Sequence, residues 1–288
     1  MTEAAPVPSS PPFVSPSSIV VSVDGHDLAC LQAGEAGRPL MLVHGFTGAK
    51  EDFGDWVDVL GAEGWWVIAP DLRGHGASHQ PVDESDYSLE IYATELLGLA
   101  DALGWDRFTL LGHSMGGMAA QEVAVRAPER LDQLVLMDTN HGPVEGLDPE
   151  MVAIGMDILR TQGRDALQEL LDAMPAERAP SDQRVRDTRP GYTEWNEGKV
   201  TASSPAMYAA MATVLANRPD RLDAVAAITV PTLVIVGEED RNFIGPSRRL
   251  AETISEAQLA VIPNAAHSPQ FENPEAWYQA LTEFLTVP

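Results

Sequence analysis

The sequence predicts an α/β protein built on a mostly parallel sheet of about eight strands, with flanking helices and one inserted helical segment. Three observations predict it. Short, almost continuously apolar runs recur along the chain, as strands buried on both faces require. Helical stretches separate most of these runs, which is the arrangement of right-handed crossovers in a parallel sheet. One long interval, 141–218, breaks the alternation without supplying a strand.

Residues 1–18 hold five Pro and five Ser with few large apolar side chains, a composition expected to stay disordered. Apolar runs at Ile19 to Val23 and Leu28 to Ala33 flank Asp24-Gly25, a hairpin turn signal. Further strands are expected at Leu40 to Val43, Trp65 to Ala69, Phe108 to Leu111, Leu134 to Met137, Leu233 to Val236 and Leu259 to Ile262. The last helix is the clearest. Trp277, Leu281, Phe284 and Leu285 share one face, Asn273 supplies an N-cap and Pro274 opens the first turn. Within 141–218, helical patterns fall at 149–161, 165–174 and 206–216, and the interval reads as a helical cap over the strand ends. The core is then 19–140 with 219–288.

Composition narrows the function. A chain of 288 residues makes about two domains, or one α/β domain with an insertion. The net charge of −25 argues against a nucleic-acid or anionic-membrane partner. Cys30 is the only cysteine, so the chain can form no internal disulfide and no cysteine-clustered metal site. The first basic residue is Arg38, which removes the basic start of a signal peptide. The longest apolar run, 224–237, is interrupted by Pro231 and falls short of a membrane span. A soluble, cytoplasmic protein is expected.

The chemistry gathers at strand ends. Gly112-His113-Ser114-Met115-Gly116 follows one strand and opens a helix, the context of a nucleophile elbow. A Ser hydroxyl needs a base to take its proton, and the base needs an acid to fix its tautomer. His267 follows the last strand, and Asp240 follows the strand before it. Asp138, at the end of an earlier strand, is the alternative acid. His44 and His113 are read as orienting or packing residues, Arg73 as a loop tie, and His26 and His141 as surface or hinge residues. His75 and His79 lie in a Gly-rich loop without the fixed geometry of a metal site, and no metal is expected. Glu238 and Glu239 are read as solvated turn charges. The cap methionines Met151, Met156, Met174, Met207 and Met211 are read as packing against the sheet.

Five motifs together resemble the α/β-hydrolase superfamily, in its cap-bearing branch close to serine esterases and lipases. They are His44-Gly45-Phe46-Thr47-Gly48, Pro70 to Ser78, the Ser114 elbow, the Asp240 turn and the His267 loop. The resemblance runs from about Ile19 to Leu285. It implies the α/β-hydrolase fold with Ser114, Asp240 and His267 as a catalytic triad and the backbone N–H groups of Phe46 and Met115 as oxyanion hole. It implies no cofactor. Ser rather than Asp at the elbow argues against epoxide hydrolases and haloalkane dehalogenases. Carbon–carbon hydrolases of meta-cleavage products usually carry Asn before the nucleophile and Trp after the catalytic His, where this chain has His113 and Ser268. A hydroxynitrile lyase wants a Lys beside the triad, and neither Lys50 nor Lys199 sits in such a motif. The expected function is hydrolysis of a small, mostly apolar ester or lactone through an acyl-enzyme. Carbon–carbon hydrolysis, cofactor-free lyase chemistry and a non-catalytic receptor role are the alternatives.

Overall fold

The structure, a computed structural model, describes residues 17–174 and 178–286. The Pro/Ser-rich segment expected to be disordered lies outside the described residues as far as position 16. Ser17 and Ser18 instead begin the first strand, because the hairpin ladder continues past its apolar stretch and pairs them with Gln32 and Leu31.

The chain opens with β1 (Ser17–Val23) and β2 (His26–Ala33). Asp24 and Gly25, at φ 49° and 83°, make the left-handed turn that matches strand twist in a two-residue hairpin. Then follow β3 (Arg38–Val43), α1 (Gly54–Ala62), β4 (Trp65–Pro70), α2 (Leu89–Ala102), β5 (Phe108–His113), α3 (Met115–Arg126) and β6 (Leu131–Met137). An all-helical run comes next: α4 (Pro149–Gln162), α5 (Arg164–Ala173), α6 (Pro180–Thr188), α7 (Tyr192–Thr201), α8 (Pro205–Asn217) and the short α9 (Leu222–Val225). The chain closes with β7 (Thr232–Gly237), α10 (Ile244–Thr253), β8 (Gln258–Ile262), the single-turn α11 (Pro269–Glu272) and α12 (Pro274–Leu285).

The strands form one eight-stranded sheet in the order β1-β2-β4-β3-β5-β6-β7-β8. β2 pairs antiparallel with β1 and β4, and every pairing from β4 to β8 is parallel. The carboxyl ends of β3, β5, β6, β7 and β8 therefore share one edge, where a parallel sheet holds its sites. Each face of the sheet carries its own core. Leu110 packs with Tyr92, Leu96 and Met118 under α2 and α3, whereas Leu111 packs with Trp56, Leu60, Trp277 and Leu281 under α1 and α12. Trp56 and Trp277 meet with ring centroids 4.7 Å apart. The Asn273 side chain accepts the Ala276 N–H, so the cap read from the sequence starts α12.

Two readings change. β8 is an edge strand, so Leu259 and Val261 are 41% and 37% exposed instead of buried. Helices α6 and α7 lack the apolar stripe that marks a helix in sequence; Ser181 and Val185 are buried in the first and Tyr192 in the second. They are held by an aromatic cluster in which Tyr192, Trp195 and Phe271 meet at centroid distances of 5.4 to 5.7 Å. Met156, Met207 and Met211 are buried, while Met151 and Met174 are 42% and 44% exposed on α4 and beyond α5.

Trp277→Ala should remove the centre of one core and lower unfolding stability by about 3–5 kcal/mol. The shift in a urea unfolding midpoint at unchanged slope measures it.

Candidate active site

At the end of β5 the chain turns into α3 so tightly that Ser114 sits at φ 54°, ψ −116°. A non-glycine residue held there costs of order 1–3 kcal/mol and persists only where the surroundings over-determine it. Here they do. Ser114 N–H donates to the Met137 carbonyl at 2.8 Å, and the Ser114 carbonyl accepts from Thr139 Oγ1 at 2.6 Å. Gly116 lets α3 close on the β3 loop, since a Cβ there would lie 2.4 Å from the His44 carbonyl oxygen. The hydroxyl is thereby raised above the sheet edge beside the His44-Gly45-Phe46 loop.

The residues expected to act together do meet. His267 Nε2 lies 3.0 Å from Ser114 Oγ, and His267 Nδ1 lies 2.7 Å from Asp240 Oδ2. They come from 153 and 27 positions apart in sequence. Gly237 makes the meeting of the last two possible. Its missing Cβ would lie 2.1 Å from the Ala266 carbonyl oxygen, so β7 can end directly against the histidine loop. Burial pulls the His267 pKa down, but the Asp240 carboxylate and its hydrogen bond, with Glu272 behind them, leave it above the ordinary imidazole value. The side chain is 41% exposed, so one edge of the ring is open to solvent.

Asp138 ends β6 at φ 43° and is fully buried. Its Oδ1 accepts the Gly237 N–H at 2.9 Å, and so it buttresses the acid turn rather than touching Nδ1 of the imidazole. Among the described residues no N–H or O–H reaches its Oδ2. Burial first, and then the nearby Asp240 charge, hold the Asp138 carboxyl well above the usual carboxylate range. Asp138, Asp240 and His267 present ligand-type atoms within 4.8 Å of one another, a set that has the chemistry of a small metal site. Two of its three members are already joined by the 2.7 Å hydrogen bond.

Three other histidines, His44, His75 and His113, fall into fixed neutral roles. Burial depresses the pKa of His44, His75 and His113. His44 Nε2 accepts the Leu72 N–H at 3.0 Å, which leaves Nδ1–H to donate to the Gly45 carbonyl at 2.8 Å. His75 Nε2 lies 2.6 Å from the Phe46 carbonyl, and His113 Nε2 lies 2.6 Å from the His267 carbonyl. Sequence reading left these two contacts unseen, because nothing in a Gly-rich loop says which carbonyl will lie opposite. His141 is not a surface residue: it is 4% exposed, bonded to Asp220 at 2.8 Å and to Arg249 at 3.0 Å. Arg73, expected to tie loops together, instead ties its own loop to helix α2 through Glu95 at 3.0 Å. Glu238 and Glu239 are more than solvated charges, since they accept the N–H groups of Asn264 and Ser181 at 3.3 and 3.0 Å.

Asp138→Asn keeps an acceptor for Gly237 N–H and a donor toward Asp240, and should fold with near wild-type stability. Asp138→Ala leaves that buried N–H without its partner and should cost about 1–3 kcal/mol, read as a lower denaturation midpoint.

Comparison with known proteins identifies the family. Residues 38–274 match the family model described as alpha/beta hydrolase fold. The chain is 30% identical over 264 residues to 2-hydroxy-6-oxo-2,4-heptadienoate hydrolase of Pseudomonas putida, covering 88% of this chain and 90% of that protein. A thermophilic esterase from Thermogutta terrifontis superimposes with TM-score 0.70 at 29% identity, over 93% of this chain and 98% of that one. An enol-lactonase from Burkholderia xenovorans shares the fold with TM-score 0.79 at 24% identity, over 93% of this chain and 100% of that one. An eight-stranded sheet with these crossovers, a strained serine elbow and a family match over most of the sequence lead to one conclusion: the chain belongs to the α/β-hydrolase fold family.

Proposed function

We propose that this hydrolase cleaves carboxylic esters or lactones of small, mostly apolar substrates, with Ser114 as nucleophile, His267 as base and Asp240 as its orienting acid. The observation that carries the reading is the continuous path from Asp240 through His267 to Ser114 Oγ, with steps of 2.7 and 3.0 Å. Ser114 Oγ attacks the substrate carbonyl carbon as its proton passes to His267 Nε2. The imidazolium that forms is stabilised by Asp240 at Nδ1. The tetrahedral oxyanion meets the backbone N–H groups of Phe46 and Met115, donors of a kind worth about 100- to 1,000-fold each in rate. The intermediate collapses, the leaving oxygen takes the proton from His267, and the acyl group stays on Ser114. Water then gives its proton to His267, attacks the acyl carbon and frees Ser114. Every step uses groups of this chain alone and calls for no cofactor or metal.

The run 141–218 is read as the cap. Its α8 brings Tyr208 to 4.8 Å from the Phe46 ring, and Phe46 also packs against the cluster of Met156, Leu159 and Leu167. An apolar wall beside the oxyanion loop favours an apolar acyl group, and the −25 charge weakly repels anions. The charge also supports a soluble protein without nucleic-acid or anionic-membrane partners, and no helix among the described residues is long and apolar enough to cross a membrane. A second reading, carbon–carbon hydrolysis by the same triad, draws on the similarity to 2-hydroxy-6-oxo-2,4-heptadienoate hydrolase.

Ser114→Ala should lower turnover of p-nitrophenyl butyrate at least about 1,000-fold at unchanged stability. A fluorophosphonate should label the wild-type protein at Ser114; full turnover in the variant would remove Ser114 from this role. A panel of esters, lactones and vinylogous diketones, with products identified, separates the two readings. Because the His267 pKa is raised, kcat/KM should fall as pH drops through a midpoint above the ordinary imidazole value, the base being active only when neutral.

A further inference from the structure

We propose that Glu272 is a positioning residue for His267, its carboxylate holding the two peptide N–H groups that flank the histidine. The inference rests on the reading of His267 as the base. Glu272 ends the single-turn α11 and is 7% exposed. Its Oε2 accepts the N–H of Ala266 and, at 3.4 Å, that of Ser268. The imidazole thus projects from a loop gripped on both sides by one carboxylate. Three loop carbonyls are held as well: His267 by His113 at 2.6 Å, Ala265 by the Glu239 N–H at 2.8 Å, and Asn264 by Arg184 at 2.8 Å. Arg184 also holds the Glu272 carbonyl at 2.8 Å, so α6 presses on the clasp from the cap side. A histidine that must hold two hydrogen bonds at once tolerates little displacement of its loop, because reaction rates fall steeply with small errors in placement.

The clasp can titrate. Burial pushes the Glu272 pKa up to about 7, with Asp182 adding to the rise, while the two N–H groups and His267 oppose it. The charged and titratable groups around it are Asp182 and Arg184 on α6, Tyr192 on α7, His267 in the loop and Asp138 at the end of β6. Above its pKa, Glu272 is ionised, accepts both N–H groups and supports the positive charge that develops on His267. Below it, the neutral acid is a weaker acceptor and that support is lost. Protonation of Glu272 and of His267 therefore both lower activity, in overlapping pH ranges, and the acid limb of kcat carries two protons instead of one.

The test is the pH dependence of p-nitrophenyl butyrate hydrolysis by wild type, Glu272→Gln, Glu272→Ala and His267→Ala, each checked for folding by its denaturation midpoint. Glu272→Gln keeps an acceptor but cannot ionise. It therefore holds the clasp in its neutral, weaker-accepting form at every pH: kcat at alkaline pH should fall about tenfold, toward that of the protonated wild type, while the acid limb drops from two protons to one and moves to lower pH. Glu272→Ala should lose about tenfold or more in kcat at alkaline pH with KM changed less than about twofold. An identical one-proton limb in wild type and Glu272→Gln, or full kcat in Glu272→Ala, overturns the proposal. Should Glu272→Ala not fold, the Glu272→Gln limb decides alone. His267→Ala with wild-type turnover would sink the base assignment itself; its loss of turnover beside an unchanged Glu272→Gln limb would sink the positioning role only.

Discussion

The backbone of Ser114 is forced into a conformation that a serine left to itself avoids, and the rest of the site depends on that constraint. A relaxed turn after β5 would drop the hydroxyl toward the sheet and out of reach of His267. The strain is held by the parallel ladder below it, where β5 pairs with β3 and β6, and by the hydrogen bonds that tie Ser114 to Met137 and Thr139. The same closeness brings the His44-Gly45 loop against the elbow: a Cβ on Gly45 would stand 3.1 Å from Ser114 Cβ. The packing of the sheet and the placement of the Ser114 hydroxyl are thus coupled.

Electrostatics separate one imidazole from its neighbours. His44, His75 and His113 lie beside the elbow, yet burial keeps them neutral, and each spans to a backbone carbonyl as a fixed strut. Of the four histidines at this sheet edge, His267 is the one that faces a carboxylate at hydrogen-bond distance and keeps an edge toward solvent. The second buried acid, Asp138, sits close enough to reinforce the acid turn, and its own charge is suppressed by burial and by Asp240. Among the acids and histidines gathered at this sheet edge, desolvation holds Asp138, His44, His75 and His113 uncharged.

The helices between β6 and β7 are joined to the sheet through scarce cations. The chain has only two lysines, and Lys199 on α7 reaches the buried Asp52 at 2.5 Å while Lys50 is paired with the buried Asp71 at 2.8 Å. Arg189 reaches Asp55 at 2.5 Å, and Arg184 grips the histidine loop. Removing either partner of such a buried pair leaves an uncompensated charge, so the seam specifies how the helices sit more than it adds net stability.

The sequence by itself determined the alternation of strands and helices, the Asp24-Gly25 hairpin, the amphipathic α12 with its Asn273 cap, and the residues Ser114, Asp240 and His267. These are legible because they rest on local rules: apolar period, turn chemistry, caps, and short motifs at strand ends. Helices α6 and α7, the exposed face of β8, the burial of His141 and the clasp of Glu272 on the histidine loop were decided only by tertiary structure. Each depends on which groups from distant parts of the chain come to lie opposite one another. Val185 and Tyr192 make a helix pair only once Phe271 is beneath them, and Glu272 becomes a titrating clasp only once the packed chain buries it. Local preference is written in neighbours along the chain, but burial and the partner across a gap belong to the assembled fold.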